Sequence, residues 1–226
     1  MRKEIDIVKE ESLEEIEEKI NKVEEITQKE MDIIEYKRAN GQREFPGMYA
    51  KRIKLSKRIQ LINDDTFSNY NFLQSVKIPG DLIKIGRSAF ADCASLKSVK
   101  IQNEVKRIYA FAFKDCVSLK EINLGKTIHI DSFAFDNCIS LEEVVLPDSI
   151  LCLEDYAFQG CTSLKKITIP RGRKIYGHIP FYKCYNLEKV NFLGTRQEWE
   201  EITNDRWFED STKKVVVHCI DDLEEK

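Results

Sequence analysis

The side chains of this 226-residue sequence that could do chemistry are three histidines, seven cysteines and the acids and bases spread among them. A metal centre or an acid–base pair needs such groups close together, at ligand or proton-relay spacing. His129 alternates with Ile128 and Ile130, His178 lies in a turn, and His218 sits in the last apolar stretch. None has a Cys or carboxylate partner at ligand spacing. Glu121 and Glu143 recur at one position of successive segments, but nothing around them completes a catalytic set. A glycine-rich phosphate loop and a G-x-S-x-G elbow are both missing. The expectation is no catalytic residue, no cofactor and no metal: a non-enzyme.

The cysteines are odd in number and include no C-x-x-C pair. Five of them belong to a repeat. Phe90, Phe113, Phe135, Phe158 and Phe181 recur every 22 or 23 residues, each followed three residues later by Cys93, Cys116, Cys138, Cys161 or Cys184. Three residues beyond come Leu96, Leu119, Leu141, Leu164 and Leu187, and then apolar pairs such as Val99/Ile101 and Val190/Phe192. One unit earlier Phe67, Tyr70, Leu73, Val76 and Ile78 hold the same places, and Ile53/Leu55 match the strand half of another unit.

Alternation in Ser98-Val99-Lys100-Ile101 predicts a short strand with one buried face, stopped in three units by Pro79, Pro147 and Pro170. A second short apolar stretch follows, as in Ile128/Ile130. The A-F-x-x-C-x-x-L run, with apolar groups three apart, suits a helical or 3₁₀ turn. No single unit can bury its apolar side, so the units must stack, with parallel strands ~4.8 Å apart. The register-matched cysteines then fall one coil apart. Buried free thiols are the first reading, and a redox or metal ladder is the second.

The pattern A-F-x-x-C-x-x-L-x-x-I-x-I-P resembles the BspA-type leucine-rich repeats over about residues 53–219. The resemblance implies an α/β leucine-rich-repeat solenoid, with short parallel strands on a concave face and helical or 3₁₀ turns and short strands opposite. It extends to a tail, Gly194-Thr195 through Ile202 and Val215–Cys219, similar to the C-terminal cap of such arrays. Ile179-Pro180-Phe181 departs from the pattern and predicts a local kink, because Pro lacks a donor and fixes φ.

Three regions follow: an acidic amphipathic N-terminal helix over 1–41, the array over 42–192 (a partial unit plus six), and a cap with an acidic tail over 193–226. Ser12 with Glu15 fits a capping box and Asn40-Gly41 a left-handed stop. Leu13, Ile16, Ile20, Val23, Thr27, Met31 and Ile34 between them predict a helix of about 27 residues. Packing of this helix on the array, and so a monomer, is favoured over a dimer paired through the helix. Trp199 and Trp207 are read as core.

Charge is segregated: −5 over residues 1–40, −5 over 193–226 and +7 between them. On the strand face one row runs Arg52, Ser75, Ser98, Glu121, Glu143, Lys166, Lys189. The other runs Lys54, Lys77, Lys100, Asn123, Val145, Thr168, Asn191. Stacked lysines repel. Either they spread harmlessly into water or they meet an anionic partner, such as the chain's own acidic N-terminus. Arg52, Lys54, Lys77, Lys100, Glu121, Asn123, Glu143, Lys166, Lys189 and Asn191 are the candidate partner-binding residues. The rows lack aromatic residues, which disfavours a sugar platform, and the modest positive charge disfavours nucleic acid.

The resemblance implies a non-catalytic protein-interaction scaffold that receives a protein partner on its concave face, and the lysine column points to an acidic surface on that partner. The alternative is a surface or secreted adhesin for host or matrix components, since many relatives of this kind are exported. No apolar run is long enough for a membrane span, and the charged start does not read as a signal peptide. A cytosolic location is therefore expected, although a chain already relieved of its signal would read the same.

Overall fold

Ser75–Ile78 and Ser98–Ile101 share the four residues Ser-Val-Lys-Ile, and in both the Val and Ile side chains are buried. These strands are β4 and β6 of a parallel solenoid. A computed structural model describes residues 23–41, 48–80, 82–102, 105–172, 175–203, 205–208, 210–212 and 214–221. The strand face comprises β1 (Val23–Ile26), β2 (Arg52–Leu55), β4, β6, β8 (Glu121–Asn123), β10 (Glu143–Val145), β12 (Lys166–Ile169), β14 (Lys189–Phe192) and β15 (Val216–His218). Opposite it lie six two-residue strands: β3 (Leu61–Ile62), β5 (Lys84–Ile85), β7 (Arg107–Ile108), β9 (His129–Ile130), β11 (Cys152–Leu153) and β13 (Ile175–Tyr176). The strand face divides in two. β1-β2-β4-β6-β8 form one sheet and β10-β12-β14-β15 another. The division falls where the repeat shortens to 22 residues.

Between the strands, each A-F-x-x-C-x-x-L run folds as successive i→i−3 turns, such as Ala91 N–H to Ser88 O and Leu96 N–H to Cys93 O. A continuous helix is impossible because left-handed residues recur four apart: Ser88 and Asp92, Phe111 and Asp115, Phe133 and Asn137, Tyr156 and Gly160. These reversals turn N–H groups along the solenoid axis. Phe67, Phe90, Phe113 and Phe135 thus donate to Ala89, Ala112, Ala134 and Ala157 of the following coil at 2.7–2.8 Å. The buried rings of Phe67, Phe90, Phe113, Phe135 and Phe158 stack along the same axis, with centroids 5.1, 5.2, 5.2 and 4.9 Å apart. The expected disturbance at Pro180 is small. Its carbonyl still accepts from Phe158 N–H at 2.9 Å, so the missing donor costs only a bond within its own coil. The stack opens there to 5.9 Å and 22°.

All seven cysteines are free thiols. Cys93, Cys116, Cys138, Cys161 and Cys184 each donate through Sγ–H to the carbonyl of the preceding coil's Phe, at 3.1–3.4 Å. Burial raises the pKa of Cys116, Cys138 and Cys184 well above that of an ordinary thiol, which leaves them unreactive. In the native protein an alkylating reagent is expected to reach Cys152 alone, the one half-exposed thiol, and all seven after denaturation. Four or more adducts by mass spectrometry before unfolding would show that the thiol column is open.

The N-terminal cap differs from the sequence expectation. Val23–Ile26 is not helical but pairs in parallel with β2, and the helix α1 spans only Gln28–Ala39. Thr27, which interrupts the supposed helical seam, is its N-cap, in a capping box with Glu30. The edge strand satisfies the backbone of β2, and together with the short helix it buries Ile26, Met31 and Ile34 against the first coil. The predicted stop holds, with Asn40 as C-cap and Gly41 left-handed at φ +67°. Ser12 and Ile16 lie outside the described residues.

Arg38 completes this cap. In each later coil, the carbonyls equivalent to Thr66 and Ser68 accept from backbone N–H groups of the coil before. The first coil has no predecessor. Arg38 Nε donates to Thr66 O at 2.9 Å and Nη2 to Ser68 O at 2.7 Å, so one guanidinium replaces two backbone donors. At the other end α2 (Arg196–Ile202), capped by Thr195, and a 3₁₀ turn (Asp205–Phe208) bring Trp199 and Trp207 against Phe181 and Phe192. Both tryptophans are core, as the sequence predicts.

Candidate interaction surface

Strand register turns the two sequence rows into two columns. Arg52, Ser75, Ser98 and Glu121 are Cα partners in succession, as are Glu143, Lys166 and Lys189. In the second column Glu25, Lys54, Lys77, Lys100 and Asn123 follow one another, then, beyond the sheet division, Val145, Thr168 and Asn191. All ten candidate residues therefore share the strand face. Eight are exposed, and Lys166 and Asn191 are half-buried.

Their charges fall into two groups. Lys166 Nζ meets Glu143 Oε1 at 2.6 Å, and beside them Lys165 meets Glu142 at 3.0 Å. Lys54 Nζ lies 3.6 Å from Glu25 Oε2. An acidic N-terminal group thus does approach the lysine column, from the added strand and, among the described residues, only at its first member. Lys77 and Lys100 stand opposite each other without an ion-pair partner among the described residues. Lys97 and Lys120, exposed just before β6 and β8, widen the basic patch. Reading only the alternating strand positions misses both; the position preceding each strand carries the signal.

On the opposite sheet Arg107 braces three coils. Its Nε donates to Asp131 Oδ1 at 2.6 Å and its Nη2 to Glu154 Oε1 at 3.4 Å, while Ser132 donates to Glu154 through N–H and Oγ–H. Burial pushes the Asp131 carboxyl above the usual carboxylate range, and the bond from Arg107 opposes that shift. These groups satisfy one another, and a structural brace is all the arrangement requires. His129, His178 and His218 lie on three separate coils. Among the described residues no three His, Cys, Asp or Glu side chains converge as metal ligands, and no helix is long and apolar enough to cross a membrane.

No curated protein shows a significant match to the sequence. Among solved structures the chain is similar to a leucine-rich repeat protein from Bacteroides ovatus ATCC 8483. That protein is 23% identical, with a TM-score of 0.59, over 76% of this chain and 43% of that one. A second similar structure is the T. pallidum leucine-rich repeat protein, 26% identical with a TM-score of 0.54, over 63% of this chain and 72% of that one. The chain spans less than half the length of the B. ovatus protein, and the likeness to it is one of fold. Copies of the BspA type leucine-rich repeat region, six in all, match residues 38–130 and 128–213. Arrays of this kind suggest a protein-interaction scaffold. With its repeats matched across most of its length, the chain belongs to the BspA-type leucine-rich repeat family.

Proposed function

We propose that this protein is a non-catalytic scaffold whose strand face holds a protein partner through an acidic surface, with Lys77 and Lys100 at the centre of the contact. The observation that supports this reading is their exposed, register-matched state without an ion-pair partner among the described residues. Like charges placed opposite each other on a sheet cost stability, and a partner's carboxylate would remove that cost as Glu25 does at Lys54. Arg52, Lys97 and Lys120 extend the same field, and Glu121, Asn123, Glu143, Lys166, Lys189 and Asn191 supply register further along. The scaffold acts as a monomer in this reading. Ile26, Met31 and Ile34, which would form a coiled-coil seam, are spent on the chain's own core.

A fluorescein-labelled 15-residue poly-glutamate peptide, followed by anisotropy at low salt, serves as a charge probe. Replacing Lys54, Lys77 and Lys100 together by Gln is expected to weaken binding about tenfold, ~1.4 kcal/mol, and to flatten its salt dependence. Equal affinity in the triple variant would remove the site from this face and leave the fold untouched.

A further inference from the structure

A second column of rings runs along the turn side. It is built from the residue before Ala in successive coils: Phe111, Phe133 and Tyr156. Their rings stack at 5.2 and 5.0 Å, and the edge of Tyr182 closes the far end at 5.6 Å. The backbone under them is unusual. Phe111, Phe133 and Tyr156 have φ of +61°, +61° and +60°, where bulky side chains are outliers. The other left-handed positions of the same coils carry Asp115, Asn137 and Gly160, residue types that tolerate this conformation. Ring stacking offsets the strain at Phe133, which has a ring on each side. Phe111 has a ring on one side only.

On the open side of Phe111 the column continues with short residues, Ser88 and then Asp65. The space left by the missing rings is a pocket of about 330 Å³, lined by Asp65, Ser68, Asn69, Ser88, Ala91, Asp92, Phe111 and Lys114. That is at the small end of ligand pockets, suited to one side chain rather than a whole metabolite. Two carboxylates stand in its wall. Lys114, the one cation lining it among the described residues, lies 3.6 Å from Asp115 Oδ2 and also holds its Nζ 5.9 Å from the centre of the Phe111 ring. Asp65 also acts on Arg38 of the cap, which leaves Asp92 as the carboxylate most available to a ligand. Arg87, exposed at the rim, already holds its guanidinium carbon 4.9 Å from the centre of the Phe111 ring, so this ring accepts a planar cation.

We propose that this pocket binds an arginine side chain of a protein partner, its guanidinium stacked on Phe111 in place of Arg87 and hydrogen-bonded to the carboxylates of Asp92 and Asp65. A guanidinium combines a flat face that stacks on an aromatic ring with a rigid donor fork for carboxylates, whereas an ammonium such as that of Lys114 can sit near the ring but has neither the flat face nor the fork. The site is independent of the strand-face reading and calls for the opposite charge on the partner.

The test uses the full chain, with N-acetyl-arginine amide as probe in an amide-resolved NMR titration. Shifts at Ser88, Ala91, Asp92 and Phe111 with a millimolar Kd are expected, at least fivefold tighter than for N-acetyl-lysine amide. Asp92→Asn, which keeps a residue suited to the left-handed turn, and Phe111→Ser, which installs the preceding coil's residue, are each expected to weaken binding tenfold or more. Arg87→Gln removes the internal competitor and is expected to tighten binding several-fold, a change that a structural role for Arg87 does not produce. Equal binding of the lysine probe, tighter binding of N-acetyl-phenylalanine amide, or unchanged affinity in Arg87→Gln would each overturn the assignment.

Discussion

Replacing Phe113 by Ala is expected to destabilise the protein by about 3–5 kcal/mol and to split its unfolding into two transitions. Phe113 is fully buried near the middle of the ring column, 5.2 Å from both Phe90 and Phe135. Removing it leaves a cavity that neither neighbour can fill, since each ring is held by its own coil. In a repeat array a coil contacts only the coils beside it, so a central defect breaks the coupling between two otherwise intact halves. The strand face is already divided nearby, between β8 and β10. Both tryptophans lie in the C-terminal cap, so their fluorescence reports that half alone, whereas far-ultraviolet circular dichroism reports the whole. In guanidinium the two signals should coincide for the wild type and separate for Phe113→Ala. Coincident transitions with a loss below about 1 kcal/mol would show that the column is not the element coupling the coils.

Arg38→Met is expected to cost about 2–4 kcal/mol, a large effect for a residue far from the strand-face site. Methionine keeps much of the apolar stem but supplies no donor, so the carbonyls of Thr66 and Ser68 lose both bonds. Burial lowers the Arg38 pKa from its usual value, with the nearby Tyr70 and Asp65 opposing, and an arginine remains charged at any ordinary pH. Arg38→Lys should recover at most part of the loss, because an ammonium cannot span two carbonyls with a rigid fork. Hydrogen exchange separates this from a general loosening: amides of α1 should exchange faster in Arg38→Met, while those around Cys161 and Leu164 stay protected. Uniform acceleration along the chain, or full rescue by lysine, would contradict the capping role.

The contrast between these two residues shows what a linear reading can reach. Phe113 was evident because its environment recurs: five further phenylalanines occupy the same register, and a repeated position has a repeated role. Arg38 occurs once. Its partners lie 28 and 30 residues ahead, and they need it only because the first coil has no predecessor. The predicted helix fails to continue through residues 23–26 for a related reason. Thr27 carries a capping-box signature of its own, and whether a helix starts there turns on whether Val23–Ile26 can add an edge to β2.

Within the candidate surface, sequence periodicity was enough to align the ten strand-face residues, because a period of 22 or 23 residues and alternation along each strand leave one register. It could not say which lysines are neutralised. Glu25 reaches Lys54 through a strand that periodicity read as helix, and Lys77 and Lys100 have no ion-pair partner among the described residues because their neighbours along the column are Lys54, each other and Asn123, none of them an acid. The second ring column escaped notice because nothing in a Phe-Ala-Phe triplet reveals a left-handed first residue. Period, core and facing columns are thus properties of the chain as written, each set by local alternation repeated many times. Caps, ion pairing and the pocket beside Phe111 belong to the folded array, since each exists only where the repetition stops or changes and distant segments must satisfy what a missing neighbour would have supplied.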